Sequence, residues 1–363
     1  MHLKPPIAIL CFCLALGLGT NTTGATAPIP AGNKHRLIRV DGKVELNNPG
    51  FLRPIRIGPY THLNQQDLIR LEPGTTATIQ CQGGWTVRWR VSGTSGMGQI
   101  CPPGPDIQGR QQRVMPRPGE GFYVISPRGT ALLTDRPPLR WQAMGNASSY
   151  EVTLYADGNA VYDDWTITVP ASACEDKICA IDYPAEFPPL VSGPNYWLVL
   201  RSDRGEMSRS HPNLQFYRLS REKRAVAAAI QRQIEAEGFS DSEVALALAD
   251  LYQAMGLIGP AVDQLEAVSD SSSSAEAMIF LGDLYSQMGL GIEAEQAYAQ
   301  AVNQALPNTL ILARSQVALG SHLIRIEGRQ QEAIGWLTDA IALYQSLGDP
   351  DTAATLRGLL ENI

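Results

Sequence analysis

The chain is poor in the residues and motifs that mark catalytic centres. Only five histidines occur in 363 residues. His35, His62, His211 and His322 fall in separate segments, and none has a second histidine or a cysteine at ligand spacing in the sequence. No G-x-S-x-G elbow, phosphate loop or dinucleotide fingerprint is present. Gly-Met-Gly at 96–98 lies between strand patterns and reads as a loop. These absences predict a protein that is not an enzyme, with no cofactor and no metal. Charge is also sparse, at 18% of residues against 44% apolar, which excludes a disordered chain. Beyond the N-terminus no run is apolar enough to span a bilayer.

What is present begins with a leader. His2 and Lys4 precede the apolar run Ile7 to Leu18, and small residues follow, ending in Ala25-Thr26-Ala27. This predicts a secretory signal peptide over residues 1–27 and an exported location, periplasm, cell envelope or the secreted fraction, with no membrane insertion once the leader is removed. Six cysteines less the two in the leader leave Cys81, Cys101, Cys174 and Cys179. An even count in an exported chain suggests two disulfides. Three pairings are possible; Cys81–Cys101 and Cys174–Cys179 are chosen because each pair lies within one proposed domain.

Charge is divided unevenly. From Arg221 onward 8 lysines and arginines face 19 aspartates and glutamates, a balance of −11, while the rest of the chain carries +4. The acidic part disfavours nucleic acid and anionic membrane as partners.

Three architectures follow in order, giving a multidomain β plus α fold. Residues 36–101 read as short strands, with a hairpin signal at Asp41-Gly42. Val40, Gly42 and Val44, then Leu63, Asp67 and Leu68, then Gly74, Ala77 and Ile79, give this stretch an order that resembles the FecR-type β domain of exported bacterial proteins. That resemblance implies a binding or sensing module. Trp85 and Trp89 lie four apart in a strand pattern, hence on one face. They offer a platform for a sugar or peptide, and the alternative function is a cell-envelope protein that holds glycan or peptidoglycan through its β domains.

Residues 102–122 are rich in proline, glycine and arginine and read as a linker. Residues 123–218 form a second β region. Leu139 and Trp141 alternate in one strand, Tyr150, Val152 and Leu154 in the next, and Tyr196, Leu198 and Leu200 in a late one. This pattern resembles a fibronectin type III or immunoglobulin-like sandwich, with Cys174 and Cys179 in a hairpin-like insertion.

From Arg221 the apolar period becomes 3.6. Leu248, Ala249, Tyr252, Gly256, Ala261 and Leu265 recur as Leu281, Gly282, Tyr285, Gly289, Ala294 and Tyr298, each 33 residues on. A third copy runs through Leu319, Gly320, Leu323, Gly328, Ala333, Leu337 and Ala340. Residues 221–363 thus resemble a tetratricopeptide (TPR) array with a capping helix at each end. The resemblance implies that the first helix of each pair lines a concave groove that holds a protein partner. Mapped onto this chain, groove positions are Glu243, Asp250 and Gln253, then Glu276, Asp283 and Gln287, then Arg314, Ser321 and Arg325. Asp250 and Asp283 occupy equivalent positions and are expected to stack and to mark the main contact surface. The expected function is an exported, non-enzymatic adaptor that binds a protein through this groove.

Overall fold

The computed structural model describes residues 35–47, 54–59, 61–81, 86–101, 122–157, 164–175, 177–208, 214–272 and 275–361. The proposed leader, most of the proline-rich linker and Trp85 lie outside the described residues.

The first β region contains β1 (His35–Asp41), β2 (Val44–Asn47), β3 (Ile55–Ile57), β4 (His62–Leu63), β5 (Leu68–Leu71), β6 (Thr76–Gln80), β7 (Thr86–Trp89) and β8 (Gly93–Gly96). They form two four-stranded sheets, ordered β4-β1-β6-β7 and β3-β2-β5-β8. The expected hairpin at Asp41-Gly42 does not form. The turn is a corner instead, because β1 pairs with β4 and β6 while β2 pairs with β3 and β5. Gly42 makes the corner at φ +126°, a conformation closed to most side chains, and a Cβ there would collide with Thr75. Leu37, Val44, Leu46, Ile69, Leu71, Ala77 and Ile79 fill one core from both sheets. A one-turn helix, α1 (Met97–Ile100), follows β8 where a loop was expected, and buries Met97 and Ile100 in that core.

The second β region comprises β9 (Val124–Ser126), β10 (Ala131–Leu132), β11 (Leu139–Gln142), β12 (Ser149–Ala156), β13 (Trp165–Pro170), β14 (Cys174–Glu175), β15 (Ile178–Ile181), β16 (Asn195–Ser202) and β17 (Phe216–Arg218). Its sheets run β10-β17-β16-β12-β13 and β14-β15-β11-β9 and share one core. The alternating residues read from the sequence enter it: Leu139 and Trp141 from β11, Tyr150, Val152 and Leu154 from β12, and Tyr196, Leu198 and Leu200 from β16. Cys174 and Cys179 face each other across the β14–β15 hairpin and lie within disulfide distance, as do Cys81 and Cys101. Two such pairs fit an oxidising, exported location. Among the described residues no helix is long and apolar enough to cross a membrane.

Among the described residues eight helices follow: α2 (Arg221–Glu235), α3 (Asp241–Ala254), α4 (Ile258–Ser272), α5 (Ala275–Met288), α6 (Gly291–Gln304), α7 (Leu310–Leu323), α8 (Gln330–Leu347) and α9 (Pro350–Leu360). The array of helix pairs is compatible with a TPR-like solenoid. Its punctuation follows from sequence. Ser220 caps α2, and Ser240 with Glu243 forms a capping box on α3. Gly256 and Gly289, 33 residues apart, end α3 and α5 at φ +76° and +75°.

Small residues set the helix spacing. A Cβ on Gly282 of α5 would fall well inside contact distance of the Tyr298 ring on α6, and one on Gly320 of α7 would meet Leu337 of α8. Gly282→Ala should therefore destabilise the chain by roughly 1–3 kcal/mol through overpacking, even though alanine is the better helix former. Thermal unfolding checks this, and Gly358→Ala, where a Cβ meets nothing, is the control.

The helices share their core with both β regions. One apolar cluster joins Ile38 of β1, Tyr123, Ile125 and Ala131 of the second β region, and residues of α2 to α8. The second β region meets the second helices of the pairs. Ala131 N donates to Gly256 O at 2.9 Å, Gly259 N to Thr130 Oγ1 at 2.9 Å, and Tyr123 Oη to Glu293 Oε1 at 2.8 Å. The first β region meets the other row, α3, α5 and α7.

Candidate functional site: the face of the first helices

The site begins with an alternation. In β1, His35 and Leu37 share one face, and Arg36 and Ile38 the other. All four are buried. Leu37 enters the core of the β region, while Ile38 enters that of the helices. The strand is therefore covered on both sides, and Arg36, fully buried, must find its counter-charge on the helices.

It does so on α3. Arg36 Nη2 donates to Asp250 Oδ1 at 2.9 Å, and its Nε lies 2.6 Å from Asp250 Oδ2, an ion-pair contact outside hydrogen-bond alignment. The guanidinium carbon sits 4.2 Å from the ring centroid of Phe280 on α5, so the cation is also held over an aromatic face.

β4 supplies the second contact. His62 pairs with Arg36 across β1 and β4. Its Nε2 lies 2.6 Å from Arg36 Nη2, and its Nδ1 lies 2.9 Å from Glu276 Oε1 on α5. Glu276 is 1% exposed and also takes Arg314 of α7, whose Nη1 lies 2.9 and 3.0 Å from its two oxygens. Arg314 Nη2 comes within 2.8 Å of His62 Nδ1. Burial drives the His62 pKa down to about 3, with Arg36 pulling the same way. A neutral ring has one acceptor nitrogen; Nε2, faced by Arg36 Nη2, takes that role, while Nδ1 lies between the Glu276 carboxylate and Arg314 Nη2. Burial acts to raise the Glu276 carboxyl, but Arg314, His62 and Arg36 outweigh it and hold it down at about 2.

β6 completes the junction. Gln80 Nε2 donates to the Ala247 carbonyl of α3 at 2.6 Å in a buried setting. At the rim, Arg88 of β7 pairs with Glu237 at 2.7 Å.

Of the nine positions mapped to a partner groove, Asp250, Glu276 and Arg314 come together here, and what they hold is the chain's own β region. The other six do not join them through the bonds described. Glu243 Oε2 is bound to Ser240 N at 2.8 Å in the capping box. Gln253 is buried, Gln287 and Ser321 are half-buried, and Arg325 is exposed. Asp283 accepts from Tyr298 Oη at 2.9 Å. Asp250 and Asp283, expected to stack, thus have different partners, Arg36 and Tyr298. Repeat 1 has Leu265 where repeat 2 has Tyr298, and only tyrosine has a hydroxyl to give.

Of the two tryptophans proposed as a platform, Trp85 lies outside the described residues. Trp89 is half-buried against the first β core and donates its indole N–H to Ser95 Oγ at 3.2 Å. The sequence also hid one juxtaposition. His35, Cys81 and Cys101 place their ligand atoms within 4.8 Å of one another. With the two sulfurs bonded to each other, no thiolate is offered there.

No family model matches the chain, and no curated protein matches it. Among solved structures, the crystal structure of MamA matches at 20% identity, covering 37% of this chain and 86% of that one, with a TM-score of 0.27.

Proposed function

We propose that this is an exported, non-enzymatic scaffold whose TPR-like array binds a protein partner on the face of its first helices. In this reading the first β region is FecR-like and the second a fibronectin III-like sandwich, and the face recognises an arginine-bearing strand. The observation that carries the proposal is the buried Arg36–Asp250 ion pair over Phe280. It is an arginine anchor in a desolvated aromatic and acidic pocket, the composition found at the centres of protein interfaces. The chain's own β region occupies the pocket at rest, so a partner competes with it.

The test follows from that competition. Arg36→Ala removes the internal anchor but keeps Asp250, Glu276, Phe280 and Arg314. The full-length variant, used as bait in a native envelope extract, should capture a partner more strongly than the wild type. Adding Asp250→Lys should abolish the gain. Equal capture by all three baits would overturn the proposal.

A further inference from the structure

Beneath the partner-binding reading lies a question of what opens the face, and the geometry around His62 answers it. The imidazole is the only neutral link in a chain of charged side chains drawn from four elements. Arg36 on β1 faces its Nε2, Glu276 on α5 and Arg314 on α7 face its Nδ1, and Asp250 on α3 holds Arg36 from behind. Phe280 on α5 meets the ring edge-on at 6.3 Å. Asp283 on α5 and Tyr344 on α8 bear electrostatically on Arg314. Nε2 serves Arg36 as an acceptor. A proton added there would destroy that acceptor and place a third cation between two guanidiniums, with Asp250 and Glu276 already committed to them.

We propose that His62 is an acid-released latch: its protonation undocks the 35–101 β region from α3, α5 and α7 and uncovers Asp250, Glu276 and Arg314. The inference rests on the reading of this face as a partner site, but the undocking itself is measured without any partner.

The sign follows from linkage. The docked state holds the His62 pKa at about 3, below the 6.5 of an unperturbed ring. The docked state thus binds fewer protons than the undocked one below pH 6.5, and docking is fully present above that value and weakens as pH falls toward 3. Glu276, at about 2, stays ionised across the range that matters. Asp250 works in the opposite direction, since burial raises its carboxyl against the pull of Arg36. From pH 7.5 to pH 5.0, His62 alone lowers the docked-to-undocked ratio by up to about 30-fold, tenfold for each pH unit below 6.5.

Hydrogen exchange on the full chain reads that ratio. Amides of β1, β4, α5 and α7 should lose protection by about 10- to 30-fold at pH 5.0 relative to pH 7.5, after correction for intrinsic rates. Amides in the core of the second β region should not change. In His62→Gln the amide can still accept from Arg36 and donate to Glu276, and the acid-induced loss of protection should vanish. The same protection at both pH values, an equal loss in His62→Gln, or a uniform loss over the whole chain would each overturn the latch. Failure of Arg36→Ala to gain a partner, with the exchange result intact, would instead overturn the partner reading alone.

Discussion

Replacing Asp250 with lysine should cost about 4 kcal/mol and detach the first β region from the helices. The size comes from what is left behind. Arg36 is fully buried, and its counter-charge comes from the Asp250 carboxylate, which pairs with Nε and accepts from Nη2. Breaking such a pair from one side typically costs 3–5 kcal/mol, because the remaining ion stays desolvated and uncompensated. Lysine adds like-charge repulsion beside Arg36. Asp250→Asn should cost less, since the amide oxygen still accepts one hydrogen bond. The informative control is Arg36→Met with Asp250→Leu. It removes both charges, sets an apolar chain against Phe280, and should recover most of the loss. Chemical denaturation followed by circular dichroism reads all four chains. If Asp250→Lys unfolds at the wild-type midpoint, the buried pair does not hold the junction.

Much of this architecture was open to reading in the residues themselves. The 33-residue offset located the helix pairs, and its small positions set the spacing, as Gly282 against Tyr298 shows. The alternation of Tyr150, Val152 and Leu154 identified an inward face, and the same residues line the core of the second β region. The junction was harder to read for a definite reason. A period of two tells which residues share a face but not what covers it. Arg36 and Gln80 alternate with Leu37 and Ile79, so they read as a solvent face, and they are buried because helices lie over them. The one signal that pointed there was the charge split, a mildly basic first part beside an acidic array. Arg36 and Arg88 of the first β region meet Asp250 and Glu237 of the helical part, and Arg140 of the second meets Glu266 at 3.2 Å. The corner at Gly42 was hidden similarly. Asp-Gly favours a tight turn, but the sheet to which the following strand belongs is decided by β5, more than twenty residues later.

The same junction makes the Cys81–Cys101 pair more than a local brace. Its removal should lower the stability of the first β region by about 3 kcal/mol, the loop-closure value for a separation of 20 residues. Both cysteines are buried in the first β core beside Met97 and Ile100, so Cys81→Ala with Cys101→Ala also loses packing there. The consequence should travel. β1, β4 and β6 carry Arg36, His62 and Gln80 to the helices, and an unfolded β region cannot present the three together. Loss of this pair should therefore uncover Asp250, Glu276 and Arg314 even at pH 7.5, where His62 is neutral. Reduction of Cys174–Cys179 should not do so, because that hairpin lies in the second β region and closes only five residues. Hydrogen exchange of α5 and α7 in the two double-alanine variants separates these outcomes. Equal protection of α5 and α7 in both would show that docking does not depend on the fold of the first β region.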